Sequence, residues 1–114
     1  MSALAISRDY FRLSNDQDIE SISSLFVEDA TYSSDNTGLF FGRQDIMEMM
    51  GGFFNAFSSL HWSIDSIEEK TPYIVELHFT FVAENTEGES VERQGIEKLV
   101  IVNEKIRHID VRTP

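Results

Sequence analysis

Several residue types are scarce or absent in this sequence of 114 residues, and each absence excludes a class of protein or site. There is no cysteine, which excludes disulfides, zinc–thiolate sites and thiol nucleophiles. No apolar run approaches the length of a membrane span, and no basic segment leads into an apolar stretch near the N-terminus. We therefore expect no membrane association and a cytoplasmic location.

Basic residues are also scarce: nine Lys and Arg stand against twenty Asp and Glu, which gives a net charge of −11. A surface this negative repels phosphate backbones, and no basic stripe with interleaved aromatic residues is present. The sequence therefore predicts no binding to nucleic acid. We interpret the acidic excess as favouring solubility rather than as a docking surface for a basic partner.

Internal repeats, low-complexity tracts and linkers are absent as well, so residues 1–114 are expected to form one domain. What the sequence does contain is an ordinary apolar fraction of 41% and nine phenylalanines. This composition is typical of a folded protein with a core of large side chains.

Apolar residues at helical spacing predict three helices in the first half of the chain. The first covers residues 3–13, and a short second helix follows Asp18, a residue typical of an N-cap, with Phe26 on its inward face. A third helix of about 15 residues, an ordinary length, follows Gly42. Inside it, the glycine pair 51–52 indicates a close approach of another segment, a kink or an early helix end.

The second half of the chain shows the alternation of strands. The predicted strands are Ala30 to Ser34, His61 to Glu69, Tyr73 to Glu84, Ser90 to Val102 and Lys105 to Arg112. The third of these places six apolar residues on one face and polar residues on the other, as in a sheet with one buried side. Helices followed by antiparallel strands predict an α+β fold.

Four short strings, in residues 18–20, 25–32, 41–46 and 105–106, make the chain resemble the nuclear-transport-factor-2-like superfamily and, within it, the SnoaL-like and ketosteroid-isomerase-like proteins. The resemblance spans nearly the whole chain. It implies one SnoaL-like domain over residues 1–114, in which three N-terminal helices pack on a curved, mainly antiparallel sheet to form a cone around an apolar pocket. This scaffold hosts isomerases, dehydratases, hydrolases and non-enzymatic binders, so the resemblance implies no single activity.

The residues that correspond to the isomerase active site match only in part. The isomerase tyrosine corresponds to Tyr10, but the aspartate base corresponds to Ser34, which cannot abstract an unactivated carbon-bound proton. The second aspartate falls near Glu97 or Lys98. Two further pocket tyrosines correspond to Phe26 and Met50. The sequence therefore predicts no ketosteroid isomerase activity.

Each candidate catalytic residue has a structural alternative. The Tyr10 phenol could donate to a ligand carbonyl or find a backbone partner in the core. Asp35 is the only carboxylate beside the vacated base position and could serve as a base, although the residues around it favour a turn aspartate. Because Glu97 and Lys98 are adjacent, only one of them can face the pocket. A salt bridge between Glu97 and Arg93 is the structural alternative there.

We therefore expect a small-molecule binding protein whose ligand is mainly apolar and carries one carbonyl or hydroxyl group. Its expected ligand-binding residues are Phe26, Tyr32, Ser34, Met50, Phe53, Trp62 and Lys98. One alternative is an isomerase, dehydratase or lyase that uses Tyr10 with Asp35 or Glu97, and another is a non-enzymatic dimerisation or interaction module. No cofactor or metal is predicted, and the resemblance implies a homodimer through the outer sheet face.

Overall fold

In the computed structural model, which describes residues 1–114, three helices pack on one face of a six-stranded sheet with the strand order β2-β1-β6-β5-β4-β3. The elements are α1 (Ala3–Asn15), α2 (Ile19–Ser24), β1 (Phe26–Ser34), β2 (Gly38–Phe41), α3 (Arg43–Asn55), β3 (Phe57–Thr71), β4 (Ile74–Asn85), β5 (Ser90–Val102) and β6 (Lys105–Arg112). All neighbouring strands are antiparallel except β1 and β6, which are parallel. The predicted α+β class and cone-shaped fold are confirmed. None of the helices is long and apolar enough to span a membrane.

Helix α1 is stabilised by a cap and by two buried serines. The Ser2 side chain accepts a hydrogen bond from the backbone N–H of Ala5, which satisfies a donor of the first turn. Ser7 and Ser14 are buried, and their hydroxyls donate to the carbonyls of Ala3 and Tyr10, four residues back. The buried face of α1 therefore contains polar side chains without leaving these two hydroxyls unpaired.

The boundary between α2 and β1 differs from the prediction. Asp18 is the N-cap, as predicted, because its side chain accepts from the backbone and hydroxyl of Ser21. However, α2 ends at Ser24, and Phe26 begins a strand instead of lying on the helix. The Leu25 carbonyl accepts from the backbone N–H of Ile106, and Phe26 lies beside Ile106 in the parallel pair with β6. Pairing with a strand distant in sequence thus overrides the helical spacing.

Two features around α3 also depart from the prediction. The four-residue strand β2 follows the turn at residues 35–37 and pairs with β1, whereas no strand was predicted between that turn and α3. Gly42 precedes α3 with a φ of 95°, a conformation that favours glycine. The helix then continues through residues 51–52 to Asn55, and no atom lies within 4 Å of a Cβ placed at either glycine. A close approach and an early helix end are therefore both wrong for this pair.

The inner face of the sheet contributes most of the core. Val75, Leu77, Phe79 and Phe81 of β4 are all buried, which confirms the apolar face predicted for this strand except at Tyr73, which precedes β4 and is exposed. They meet buried residues of the helices, among them Ile6, Phe11, Ile22, Ile46, Met50 and Phe54. Beside Phe79, on β5, lies Gly95, where an added Cβ would overlap the Phe79 ring. Glycine at this position therefore allows the ring to lie across the neighbouring strand.

Candidate functional site

A cavity of about 360 Å³ lies between the helices and the inner face of the sheet. Its deep part is lined by α1, α3 and strands β3, β4 and β5, and its mouth by exposed residues after β1, on β5 and at the end of β6. A cavity of this size accommodates a small organic molecule. The lining residues are Tyr10, Phe11, Ser14, Tyr32, Ser34, Asp35, Asn36, Thr37, Met49, Met50, Phe53, Phe54, Trp62, Phe79, Phe81, Arg93, Gln94, Gly95, Glu97, Val111, Arg112 and Thr113.

One wall of the cavity is a cluster of aromatic rings. The ring centroids of Trp62 and Phe81 are 4.7 Å apart, and the ring centroid of Phe53 lies 5.9 Å from that of Trp62 and 5.5 Å from that of Phe81. These distances are those of favourable aromatic contacts, so the rings hold one another in place. The wall offers apolar aromatic surface to a ligand.

Glu97 is a buried carboxyl facing this apolar cavity. It lies on the inner face of β5, between Leu77 of β4 and Val111 of β6, and only 5% of it is exposed. Its Oε2 atom is buried and has no hydrogen-bond partner. Burial, with a smaller effect from the negative charge of Asp110, raises the pKa of Glu97 from 4.5 to about 8. At neutral pH the carboxyl therefore carries a proton for most of the time and can donate a hydrogen bond.

Two phenols line the same cavity as Glu97. Burial raises the pKa of Tyr10, and the nearby Glu97 raises it further; the same two effects, in the same order, raise the pKa of Tyr32. Both hydroxyls therefore keep their protons and remain donors. The Tyr10 ring is held by edge contacts with Phe11 and Phe26, at 5.6 and 5.8 Å. Tyr10, Tyr32 and Glu97 together place three polar groups among apolar walls.

Ser34 and Asp35 use their side chains to shape the mouth. The buried Ser34 hydroxyl accepts from the backbone N–H groups of Asn36 and Thr37, at 3.0 and 3.4 Å. The exposed Asp35 carboxylate accepts from the backbone and hydroxyl of Thr113, and these bonds lower its pKa. Ser34, rather than Asp35, thus forms the hydrogen bonds of this turn.

The cavity brings together most of the residues expected from the sequence, but two of them lie elsewhere. Phe26 is only 1% exposed and packs behind Tyr10 in the core, so it does not line this cavity. Lys98 points to the outer face of the sheet, where its Nζ lies 4.0 Å from a Glu76 oxygen. Lys98 therefore does not line the cavity, and Glu97 is the residue of this pair that does.

Several lining residues were not expected from the sequence. Phe79 and Phe81 follow from the alternation of β4, which could have identified them once the inner face was known. Gly95 carries no side-chain signal. Arg93 lines the mouth but lies within 4.0 Å of no carboxylate, so the expected alternative of a salt bridge with Glu97 is wrong.

The three histidines lie outside the cavity lining. His108 is on the outer face of β6, where its Nδ1 atom is 2.7 Å from the Thr31 hydroxyl, whereas Ile109 faces inward and is fully buried. No group of three or more His, Asp or Glu side chains is arranged to hold a metal ion.

The homodimer through the outer sheet face stays a prediction.

The family model of the SnoaL-like domain matches residues 7–109 of the chain. Among solved structures, an uncharacterized cystatin-fold protein from Novosphingobium aromaticivorans is similar, with 15% identity over 97% of each chain and a TM-score of 0.86. An M. tuberculosis LEH-like epoxide hydrolase shows 10% identity over 98% of this chain and 82% of its own, with a TM-score of 0.85. A Mycobacterium tuberculosis protein in complex with estradiol-17β-hemisuccinate shows 16% identity over 97% and 93%, with a TM-score of 0.84. No curated protein sequence matches the chain.

Proposed function

The chain belongs to the SnoaL-like domain family, within the nuclear-transport-factor-2-like superfamily, and on that premise we propose that it binds a small, mainly apolar ligand with one carbonyl or hydroxyl group. The observation that carries this proposal is the buried, unpaired Oε2 atom of Glu97, which faces a cavity with aromatic walls. A buried polar atom without a partner costs about 1–3 kcal/mol. A ligand oxygen that pairs with the Glu97 carboxyl would recover part of that cost.

The other groups of the cavity fit the same ligand. Protonated Glu97 and the hydroxyls of Tyr10 and Tyr32 are donors, which suits a carbonyl or hydroxyl oxygen as acceptor. The aromatic wall around Trp62 suits the apolar body. The structural neighbour in complex with estradiol-17β-hemisuccinate supports a ligand of this kind.

The proposal is tested with prodan, a neutral naphthyl ketone whose emission depends on the polarity around it and on hydrogen bonding to its carbonyl. Trp62 is the only tryptophan and lines the cavity, so energy transfer from Trp62 to prodan reports binding, and the effect of a substitution at Glu97 assigns that binding to this site. We expect saturable binding. We also expect Glu97→Leu to weaken binding about three- to tenfold, the value of one hydrogen bond, although the variant cavity is more apolar.

Glu92→Leu is the matched control, because Glu92 is exposed on the outer face of the same strand. It replaces a carboxyl of the same strand with leucine without touching the cavity and should leave the affinity for prodan unchanged. An absence of energy transfer from Trp62 would refute the binding proposal. Equal or tighter binding by Glu97→Leu would refute the role of Glu97 as the polar anchor.

A second candidate function is proton transfer, because a carboxyl with a pKa of about 8 in an apolar cavity is suited to acid–base chemistry near neutral pH. Glu97 with Tyr10 is the better-placed pair of the two expected from the sequence. The Asp35 carboxylate is exposed and accepts hydrogen bonds from Thr113, which lower its pKa. A carboxylate with a lowered pKa is a weak base. An isomerase, dehydratase or lyase of this type should exchange the protons beside the ketone of bound prodan in deuterated water. Mass spectrometry measures this exchange, which should be slower in Glu97→Gln than in the wild type. Equal exchange rates in the two proteins would refute proton transfer by Glu97.

A further inference from the structure

The mouth of the cavity differs in charge from the rest of the protein. Its charged side chains are Arg93, Arg112 and Asp35, which gives it a net charge of +1, whereas the whole chain carries −11. Arg112 already has partners, since its Nη2 lies 3.0 Å from an Asp110 oxygen and donates to the Ser33 hydroxyl at 2.8 Å. Arg93 forms no ion pair, although acidic residues outnumber basic ones by more than two to one. A free guanidinium thus stands at the entrance of the ligand cavity.

Arg93 and Glu97 lie on the same face of β5, with Gly95 between them. Arg93 is opposite Phe81, Gly95 opposite Phe79 and Glu97 opposite Leu77, so all three belong to the inner face. The Phe79 ring lies directly over Gly95, between Arg93 and Glu97, and all four residues line the cavity. Four residues of strand place the two positions about 13 Å apart. The cavity therefore has a hydrogen-bonding carboxyl at its deep end and a cation at its mouth.

We infer that Arg93 forms an anion-binding subsite, so that the ligand class is an apolar molecule with a carbonyl or hydroxyl oxygen at one end and a carboxylate at the other. The inference rests on the proposed function, because it concerns the same cavity. A guanidinium binds a carboxylate through two parallel hydrogen bonds, and Arg93 has its donors free of acidic partners. The negative field of the protein opposes an anion, so a local cation is needed to hold the charged end.

The test compares a prodan analogue that carries a carboxylate on its amino substituent, at the opposite end of the naphthalene from the ketone, with the methyl ester of the same compound. The wild-type protein should bind the acid more tightly than the ester. Added salt should weaken the binding of the acid and leave the binding of the ester unchanged. Arg93→Gln should reduce affinity for the acid about two- to fivefold, the range for a partly exposed ion pair, and leave the ester unchanged. Arg93→Lys should restore part of the preference, because it keeps the charge and loses the two-bond geometry.

Arg8→Gln is the matched control, because Arg8 is exposed on α1 and does not line the cavity. It changes the net charge by the same amount and should leave both affinities unchanged. If the ester binds but the acid binds equally well to the wild type and to Arg93→Gln, the subsite is overturned while the proposed function stands. An equal loss of acid binding in Arg8→Gln also overturns it, since the effect would then come from net charge. If prodan, acid and ester all fail to bind, the proposed function fails and the inference fails with it.

Discussion

Replacing Glu97 with glutamine is expected to remove a pH-dependent loss of stability from this protein. Burial and the charge of Asp110 raise the pKa of Glu97 to about 8, whereas the exposed carboxyl of the unfolded chain titrates near 4.5. Between these values the folded state holds a proton that the unfolded state has released. The free energy of unfolding therefore falls as the pH rises from 4.5 through about 8. Glutamine has nearly the same shape and does not titrate.

The size of the effect follows from the difference between the two pKa values, about 3.5 pH units. Each unit corresponds to about 1.4 kcal/mol, so the upper limit is about 5 kcal/mol above pH 8, and about 3 kcal/mol is already lost at pH 7. Water that enters through the mouth of the cavity lowers the cost of the ionised carboxyl. We therefore expect Glu97→Gln to be more stable than the wild type by about 2 to 5 kcal/mol at pH 9 and nearly equal to it at pH 5.

Urea unfolding followed by Trp62 fluorescence at several pH values measures this difference. With an m-value of about 2 kcal/mol/M, the unfolding midpoint of the variant at pH 9 should lie about 1 to 2.5 M above that of the wild type. Glu92→Gln removes the same charge from the outer face of β5 and corrects for the relief of overall negative charge. Parallel stability curves for the wild type and Glu97→Gln between pH 5 and pH 9 would refute the reasoning, as would an equal gain in Glu92→Gln.

Two further substitutions test the packing around the site. Gly95→Ala places a methyl group against the Phe79 ring, which must then move into the cavity. We expect the free energy of unfolding, measured in urea, to fall by about 1 to 3 kcal/mol and prodan to bind more weakly. No change in either quantity would contradict the close contact. Phe26→Leu should cost about 1 to 3 kcal/mol of stability with the prodan affinity unchanged, because Phe26 is buried behind Tyr10. Weaker prodan binding at unchanged stability would instead place Phe26 in the pocket.

Most of the fold could be predicted from the sequence because its elements carry strong local signals. The alternation of β4 and the cap at Asp18 depend only on residues that lie a few positions apart in sequence. The start of β1 is different, since the spacing around Phe26 suits a helix and only the parallel pairing with Ile106 makes it a strand. The short strand β2 has too few residues to show a period. Elements that depend on distant partners were therefore the ones misplaced.

The site was predictable in its residue types and less so in their directions. Apolar residues stand on both sides of Glu97 and Lys98, so the pattern along β5 does not show which of the two faces inward. The register with Leu77 and Val111 decides it, and that register belongs to the sheet and not to the strand. Likewise, the partner of Asp35 is Thr113, which is 78 residues away in sequence and carries no signal near the turn.

The polar group in the cavity is better explained by binding than by stability. A leucine at position 97 would fill the same inward site without the cost of burying a carboxyl, so Glu97 lowers stability at neutral pH relative to an apolar residue. Gly95 also weakens the strand interior, but the Phe79 ring that lies over it explains why no side chain is present there. A costly buried carboxyl and a free cation on the same face of one strand are explained together if a ligand lies along β5. If prodan binds but Glu97, Gly95 and Arg93 variants all leave its affinity and that of the acid analogue unchanged, the ligand must lie against another wall.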